Sequence, residues 1–200
     1  MTENVVSGKA QRTRQILIDA IRDEIAETGS FSAELVARRS GNSVATFYNH
    51  FATKDDALIG VYEQLMDELI ELVQEKCRIE ELLDVGLRQL VESWIVHSAI
   101  LFRHNASLFR ISQLTIERSK TMRDLFRQYE MIAIHHYRRF IERGQAASLI
   151  RDGNAETMAQ VLTVISESWH HPMVQRLEEG SEFHMELTDV VIRILERPKS

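Results

Sequence analysis

The first proline of the chain is Pro172, and only Pro198 follows it. Proline lacks a backbone N–H and its ring clashes with the preceding turn, so it ends or kinks helices. The stretch from Met1 to His171 without one permits long helices almost throughout. Glycine is sparse as well, 8 in 200 residues, too few turn formers for a β-sandwich of this length. Hydrophobic residues at 44% and charged residues at 27% fit a globular chain and exclude wholesale disorder. The expectation is an all-α protein of about nine helices.

Apolar runs are only a few residues long, well short of a bilayer span. The N-terminal stretch holds no apolar segment of a secretory signal. Cys77 is the only cysteine, so no internal disulfide forms, which fits a reducing compartment. These features predict a cytoplasmic protein with no membrane partner. The net charge of −6 argues against coating nucleic acid by bulk charge, but leaves room for a small basic face on an acidic body.

Residues 1–8 are polar and aperiodic and read as a frayed lead-in. From Lys9 to about Thr28 the apolar residues Leu17, Ala20, Ile21 and Ile25 share one helix face, and Gly29 stops the helix. Its start carries Lys9, Arg12 and Arg14 and its end Asp23, Glu24 and Glu27, the reverse of what the helix dipole prefers. That order suggests an external anion near the start. A short helix follows over about 32–39 with Ser32 as cap, then the turn Gly41-Asn42-Ser43, then a second short helix over about 44–51. Phe47 and Phe51 are spaced i, i+4 and should point inward. Thr53 and Asp56 resemble a capping box that opens a long helix to about Lys76, with Gly60 inside it.

Two short helices joined by a glycine-containing turn describe a helix-turn-helix. The pattern Arg14-x-Ile16-Leu17-x-x-Ala20, Gly29, Val36-Ala37-x-x-x-Gly41-x-Ser43-x-x-Thr46-Phe47-Tyr48-x-His50-Phe51-x-x-Lys54-x-x-x-Leu58 resembles the TetR (tetracycline-repressor) family. The match covers roughly the first quarter of the chain. Asn42 departs from it, standing where the family usually has an apolar turn residue.

On the second short helix, Ser43, Val44, Ala45, Thr46 and Asn49 form a face short enough to approach base edges. Asn can pair bidentately with adenine, and Val, Ala or a Thr methyl can touch the thymine methyl. Tyr48, His50 and Lys54 flank it within reach of phosphates, and Arg12 and Arg14 are further phosphate candidates. Arg12, Arg14, Arg38 and Arg39 are each as readily plain surface charge as phosphate contacts. The resemblance implies that these residues bind palindromic double-stranded operator DNA in the major groove. It divides the chain into a DNA-binding domain over 1–55 and an effector and dimer domain over 56–200.

Beyond residue 76 every segment reads as helix. One runs through Leu83 to Ile95, a broken one covers about 100–114, and a long one about 119–144. The last two carry Met158 to Trp169, capped by Asn154, and Phe183 to Leu195. An aromatic, Met and His set lies on the middle helices. The resemblance implies that an unknown small apolar or aromatic effector binds among them, with Trp94, His97, Phe102, Phe109, Met122, Phe126, Tyr129 and Trp169 as candidates. It also implies a homodimer through the last two helices, for which Met158, Val161, Ile165, Leu187, Val191 and Ile194 are candidates. Without the resemblance the same stripes read as closed core.

The adjacent pairs His135-His136 and His170-His171 do not face each other on a helix, so no metal site is expected. No phosphate-cradling glycine loop or nucleophile motif occurs, so neither catalytic residues nor a cofactor are expected. The expected function is ligand-responsive transcriptional regulation, most simply repression. The alternative is a helical-bundle small-molecule-binding protein or enzyme without DNA binding.

Overall fold

The computed structural model describes residues 2–178 and 180–198, with side chains described from residue 8 on. Among these residues there are nine α-helices and no strand. They are α1 (Thr2–Thr28), α2 (Ala33–Arg39), α3 (Val44–His50), α4 (Lys54–Lys76), α5 (Ile79–His104), α6 (Ala106–Arg118), α7 (Lys120–Ala146), α8 (Ala155–Glu167) and α9 (Glu182–Leu195). Two 3-10 turns, Ser168–His170 and Val174–Arg176, join α8 to α9.

The expected frayed lead-in is instead helical from Thr2, and Met1 lies outside the described residues. Gly8 costs a helix interior only about 1 kcal/mol, and no proline stands nearby to end it. The expected broken segment over 100–114 is a clean break at one residue. α5 runs on to His104, Asn105 leaves helical geometry, and α6 starts at Ala106.

The caps follow local chemistry. Ser32 accepts from the Leu35 N–H at 3.3 Å and Asn154 Oδ1 from the Thr157 N–H at 2.9 Å. Thr53 and Asp56 exchange reciprocal bonds, each backbone N–H donating to the other's side chain at 3.0 Å. Gly29 takes φ +74, which an L side chain rarely adopts, and its N–H donates to the Ile25 carbonyl.

By contacts the chain divides into two units, one of residues up to 65 together with 105–123, the other of 66–104 with the residues from 124 on. The first unit buries Leu17, Ile21 and Ile25 of α1, Val36 of α2, Phe47 of α3, Leu58 and Val61 of α4, and Leu108 and Phe109 of α6. α6 packs on α1, and Arg22 Nε donates to the buried Asn105 side chain at 3.0 Å. The second unit buries Leu90, Val91, Trp94 and Ile95 of α5, Tyr137 and Ile141 of α7, Leu162 of α8, Trp169, and Val191 and Leu195 of α9. There α5 packs along α9. Gly86 takes φ +78 inside α5, a kink that the sequence pattern did not suggest.

Candidate nucleic-acid interface

α3 is held by one ring. Phe47 is fully buried and packs against Phe51, with ring centroids 5.4 Å apart. Gly41 supplies the positive φ (+66) that turns the chain between α2 and α3. Asn42 is a turn residue here: its N–H donates to the Ala37 carbonyl at 2.9 Å and its Nδ2 to the Ser40 carbonyl at 3.0 Å. Ser43 then caps α3, accepting from the Thr46 N–H at 3.0 Å.

Pinning Phe47 inward turns the other side of α3 outward. Ser43, Ala45, Tyr48 and Asn49 are exposed, while Val44, Thr46 and His50 are half-buried. The Thr46 and Ser43 hydroxyls are engaged with each other at 2.8 Å. Asn49 carries no hydrogen-bond partner among the described residues, so its acceptor and both donors are free. α3 contains no acidic residue that would repel a phosphate backbone.

The cations around α3 divide by what already holds them. Arg12 and Arg38 are exposed and have no partner among the described residues. Arg14 lies over the Phe51 ring, its guanidinium carbon 5.3 Å from the centroid. It also occupies the space above Gly60, where a Cβ would sit 2.7 Å from Arg14 Nη2. A side chain at this position of α4 would displace the end of the Arg14 side chain from its place over Phe51. Lys54 places its ammonium 4.8 Å from the Phe31 ring centroid and remains exposed. Arg39 is fully committed: it donates to Glu24 at 2.7 Å and to Glu27 at 2.5 and 2.8 Å. Glu24 is buried, so Arg39 answers a charge that water cannot reach. Hydrogen bonding from Arg39 holds the Glu27 carboxyl below its ordinary range. The acids at the end of α1 therefore pair with α2, while Arg12 at its start does not.

The second unit contains an almost wholly apolar cavity of about 50 Å³. Of the expected effector residues, Phe102, Phe126 and Tyr129 line it, and Trp169 stacks behind Phe102 with centroids 6.5 Å apart. Trp94 is buried elsewhere, edge-on to Tyr137 at 5.9 Å. His97 is exposed, its Nδ1 donating to the Ser93 carbonyl at 2.7 Å. Phe109 and Met122 are buried in the first unit. Sequence reasoning missed Met66, Leu69, Ile70, Glu130, Glu167 and His170 on the cavity wall. Only the break in helical pattern after Glu167 could have marked His170, because the rest converge from separate helices.

Burial pushes the His170 ring down to about 4, partly opposed by the hydrogen bond of its Nδ1 to the Glu167 carbonyl. An unfolded chain takes up that proton near pH 6.5, whereas the folded one refuses it until about pH 4. Stability should therefore fall as pH drops through this window, by on the order of 2 kcal/mol, and be indifferent to His170 above it. Urea unfolding of His170→Gln at pH 5 and pH 7.5 should show less acid loss than the parent. Equal losses would place the acid sensitivity elsewhere.

The exposed large apolar side chains of this unit concentrate on α8, α9 and the segment between them. Val161, Val164, Met173, Met185 and Val190 lie there, with Val164 at 66%, while Leu83 on α5 and Met131 on α7 are exposed to a similar degree. Among the expected interface residues, Val161 is exposed, Ile165, Leu187 and Ile194 are half-buried, and Met158 and Val191 are buried within the protomer. No group of three or more His, Cys, Asp or Glu placed to hold a metal occurs among the described residues. None of their helices is long and apolar enough to cross a membrane.

The chain superposes on a TetR transcription regulator from Haloarcula marismortui over 93% of its own length and 100% of the other, with a TM-score of 0.76 and 15% identity. Its fold is that of the TetR-family regulators. SmeT, the repressor of the Stenotrophomonas maltophilia multidrug efflux pump SmeDEF, shares it at a TM-score of 0.67 and 20% identity, over 94% and 92% of the two chains. The Bacillus subtilis regulator FadR, solved with stearoyl-CoA, shares it at 0.68 and 17%, over 89% and 97%. No family model matches the sequence, and no curated protein matches it. The TetR fold thus persists here with few shared residues, carried by the helix order and the α2-turn-α3 geometry.

Proposed function

We propose that the protein is a ligand-responsive, DNA-binding transcriptional regulator, a repressor released from a palindromic operator by a small apolar or aromatic effector. The observation that carries this reading is α3: a helix pinned by Phe47 that turns outward a short-chained, acid-free face with a free Asn49. Residues 1–55 would contact DNA and residues 56–200 would bind effector and partner subunit. A homodimer places two recognition helices in successive major grooves, about 34–36 Å apart. The apolar side chains exposed on α8 and α9 support pairing there.

SmeT has also been solved with triclosan, so with FadR at least two proteins of this fold take small organic molecules. The cavity here, about 50 Å³, is smaller than the roughly 300–1,000 Å³ of ordinary ligand pockets. An effector that enters this cavity would therefore select a more open state of the second unit. If that state spaces the recognition helices wrongly, the effector shifts the population away from the DNA-bound form.

A gel shift with the DNA upstream of the protein's own gene tests the reading against a helical-bundle ligand-binding protein or enzyme. Sequence-specific retardation is expected, and its absence at micromolar protein would favour the alternative. On the bound operator, Asn49→Ala should lose about 1–3 kcal/mol and flatten one column of a selected-sequence profile in each half-site. Lys54→Ala should instead weaken all sequences alike and make the salt dependence shallower by about 0.9 in log K per log salt for each phosphate lost. A profile unchanged by Asn49→Ala would remove Asn49 from base readout.

A further inference from the structure

α4 and α7 run alongside each other in one register within the second unit. Tyr129 Oη donates to Asp67 at 2.5 Å and Gln74 Nε2 donates to His136 Nε2 at 3.0 Å. Both pairs are offset by 62 residues, so the helices are parallel. Ile70 and Ala133 belong to the apolar cavity, and one turn further on the lining changes character. A cleft of about 350 Å³ opens there, floored by Val73, Ile79 and Phe140 and rimmed by Arg78, Arg139 and Arg143.

We propose that this cleft binds a phosphate-bearing small molecule, its dianionic phosphate held by Arg78, Arg139 and Arg143 and its apolar body resting on Phe140. Charge supports the assignment. Elsewhere in this unit Arg88 meets Asp189 at 2.9 Å, and Arg138 meets Glu156 at 3.4 Å and Glu142 at 3.7 Å, while Arg151 and Arg197 donate to backbone carbonyls. Arg139 has no such carboxylate among the described residues. Glu80, 3.4 Å from Arg78, is the one acid in the cleft and also the one that Arg143 senses at longer range. Three guanidinium groups less one carboxylate leave a surplus of two positive charges in a chain whose net charge is −6. A phosphate monoester carries about −1.5 to −2 at neutral pH.

Geometry and field agree with charge. Arg139 and Arg143 are one helical turn apart and reach the same side of α7. The planar guanidinium donates in pairs to phosphate oxygens, which a lysine ammonium does not. His136, beside Arg139, is held below its ordinary value by burial first and then by His135 and Arg139. Cys77 contributes neither a competing anion nor a nucleophile, because burial pushes its thiol up to about 12. The cleft is also within the volume range of small-molecule pockets.

The test reads no DNA, so it stands or falls apart from the proposed function. The full-length protein is titrated calorimetrically with phenyl phosphate, inorganic phosphate and phenol at fixed ionic strength, while the His136 ring is followed by NMR. Phenyl phosphate should bind and shift the His136 signals, and phenol should not. An Arg139→Gln, Arg143→Gln double variant should bind about 100-fold more weakly, about tenfold for each lost charge-assisted contact. Both side chains are exposed, so its urea midpoint should stay that of the parent. Weaker binding of inorganic phosphate identifies an organic ester as the ligand, and equal binding identifies free phosphate at the same site. No heat and no NMR shift at 10 mM would overturn the proposal. So would a double variant that binds like the parent, or phenol binding as well as phenyl phosphate.

Discussion

Phe47→Ala is expected to unfold the α2-turn-α3 region and abolish operator binding. The ring is fully buried and is the only buried side chain in α3. Truncating such a ring costs about 3–5 kcal/mol, a large share of the stability of an ordinary domain. A seven-residue helix has no stability of its own in water, so α3 depends on its packing, above all on that ring, and on the Ser43 cap. The loss should appear as a lowered urea midpoint by circular dichroism, together with gel-shift affinity reduced to that of unrelated DNA. Tyr48→Phe, on the exposed side, should leave the midpoint alone. A Phe47→Ala protein that still retards its operator would mean that α3 is held by something else.

The second large effect concerns subunit pairing. Val161 and Val164 are 41% and 66% exposed in the protomer, so aspartates there should barely disturb its fold. Buried between two subunits, the same charges would cost about 3–5 kcal/mol for each left uncompensated. Val161→Asp with Val164→Asp should therefore yield a folded monomer by light scattering, and operator affinity should collapse with the loss of the second half-site. Val191→Asp is the poorer probe, because Val191 is 1% exposed and a charge there would unfold the protomer itself. A dimer that survives the double substitution moves the interface away from α8.

The chain's local chemistry was the most legible part of it. Ser32, Ser43, Asn154 and the Thr53–Asp56 pair each satisfy amides within three residues, so a cap can be read from spacing alone. Phe47 and Phe51 were legible for the same reason, as was the helical class from the missing prolines. Long-range choices were not. The kink at Gly86 and the break at Asn105 leave the apolar pattern of α5 almost intact. The commitment of Arg39 to Glu24 depends on how α2 crosses α1. In the candidate effector region, Phe102, Phe126 and Tyr129 converge on the cavity, whereas Phe109 and Met122 carry the same kind of side chain into a different core. Periodicity assigns each residue to a face of its helix and says nothing of which neighbour that face meets.

The placement of the two tryptophans has a practical consequence. Trp94 and Trp169 are the only ones in the chain, both are buried, and both lie in the second unit. Intrinsic tryptophan emission is therefore a built-in optical probe of that unit alone, silent on the unit that contains α3. Trp169 stacks on Phe102, one wall of the apolar cavity. A molecule that displaces the Phe102 ring should change the colour or yield of Trp169 emission, so candidate effectors can be screened on the unlabelled protein, with no operator in the cuvette.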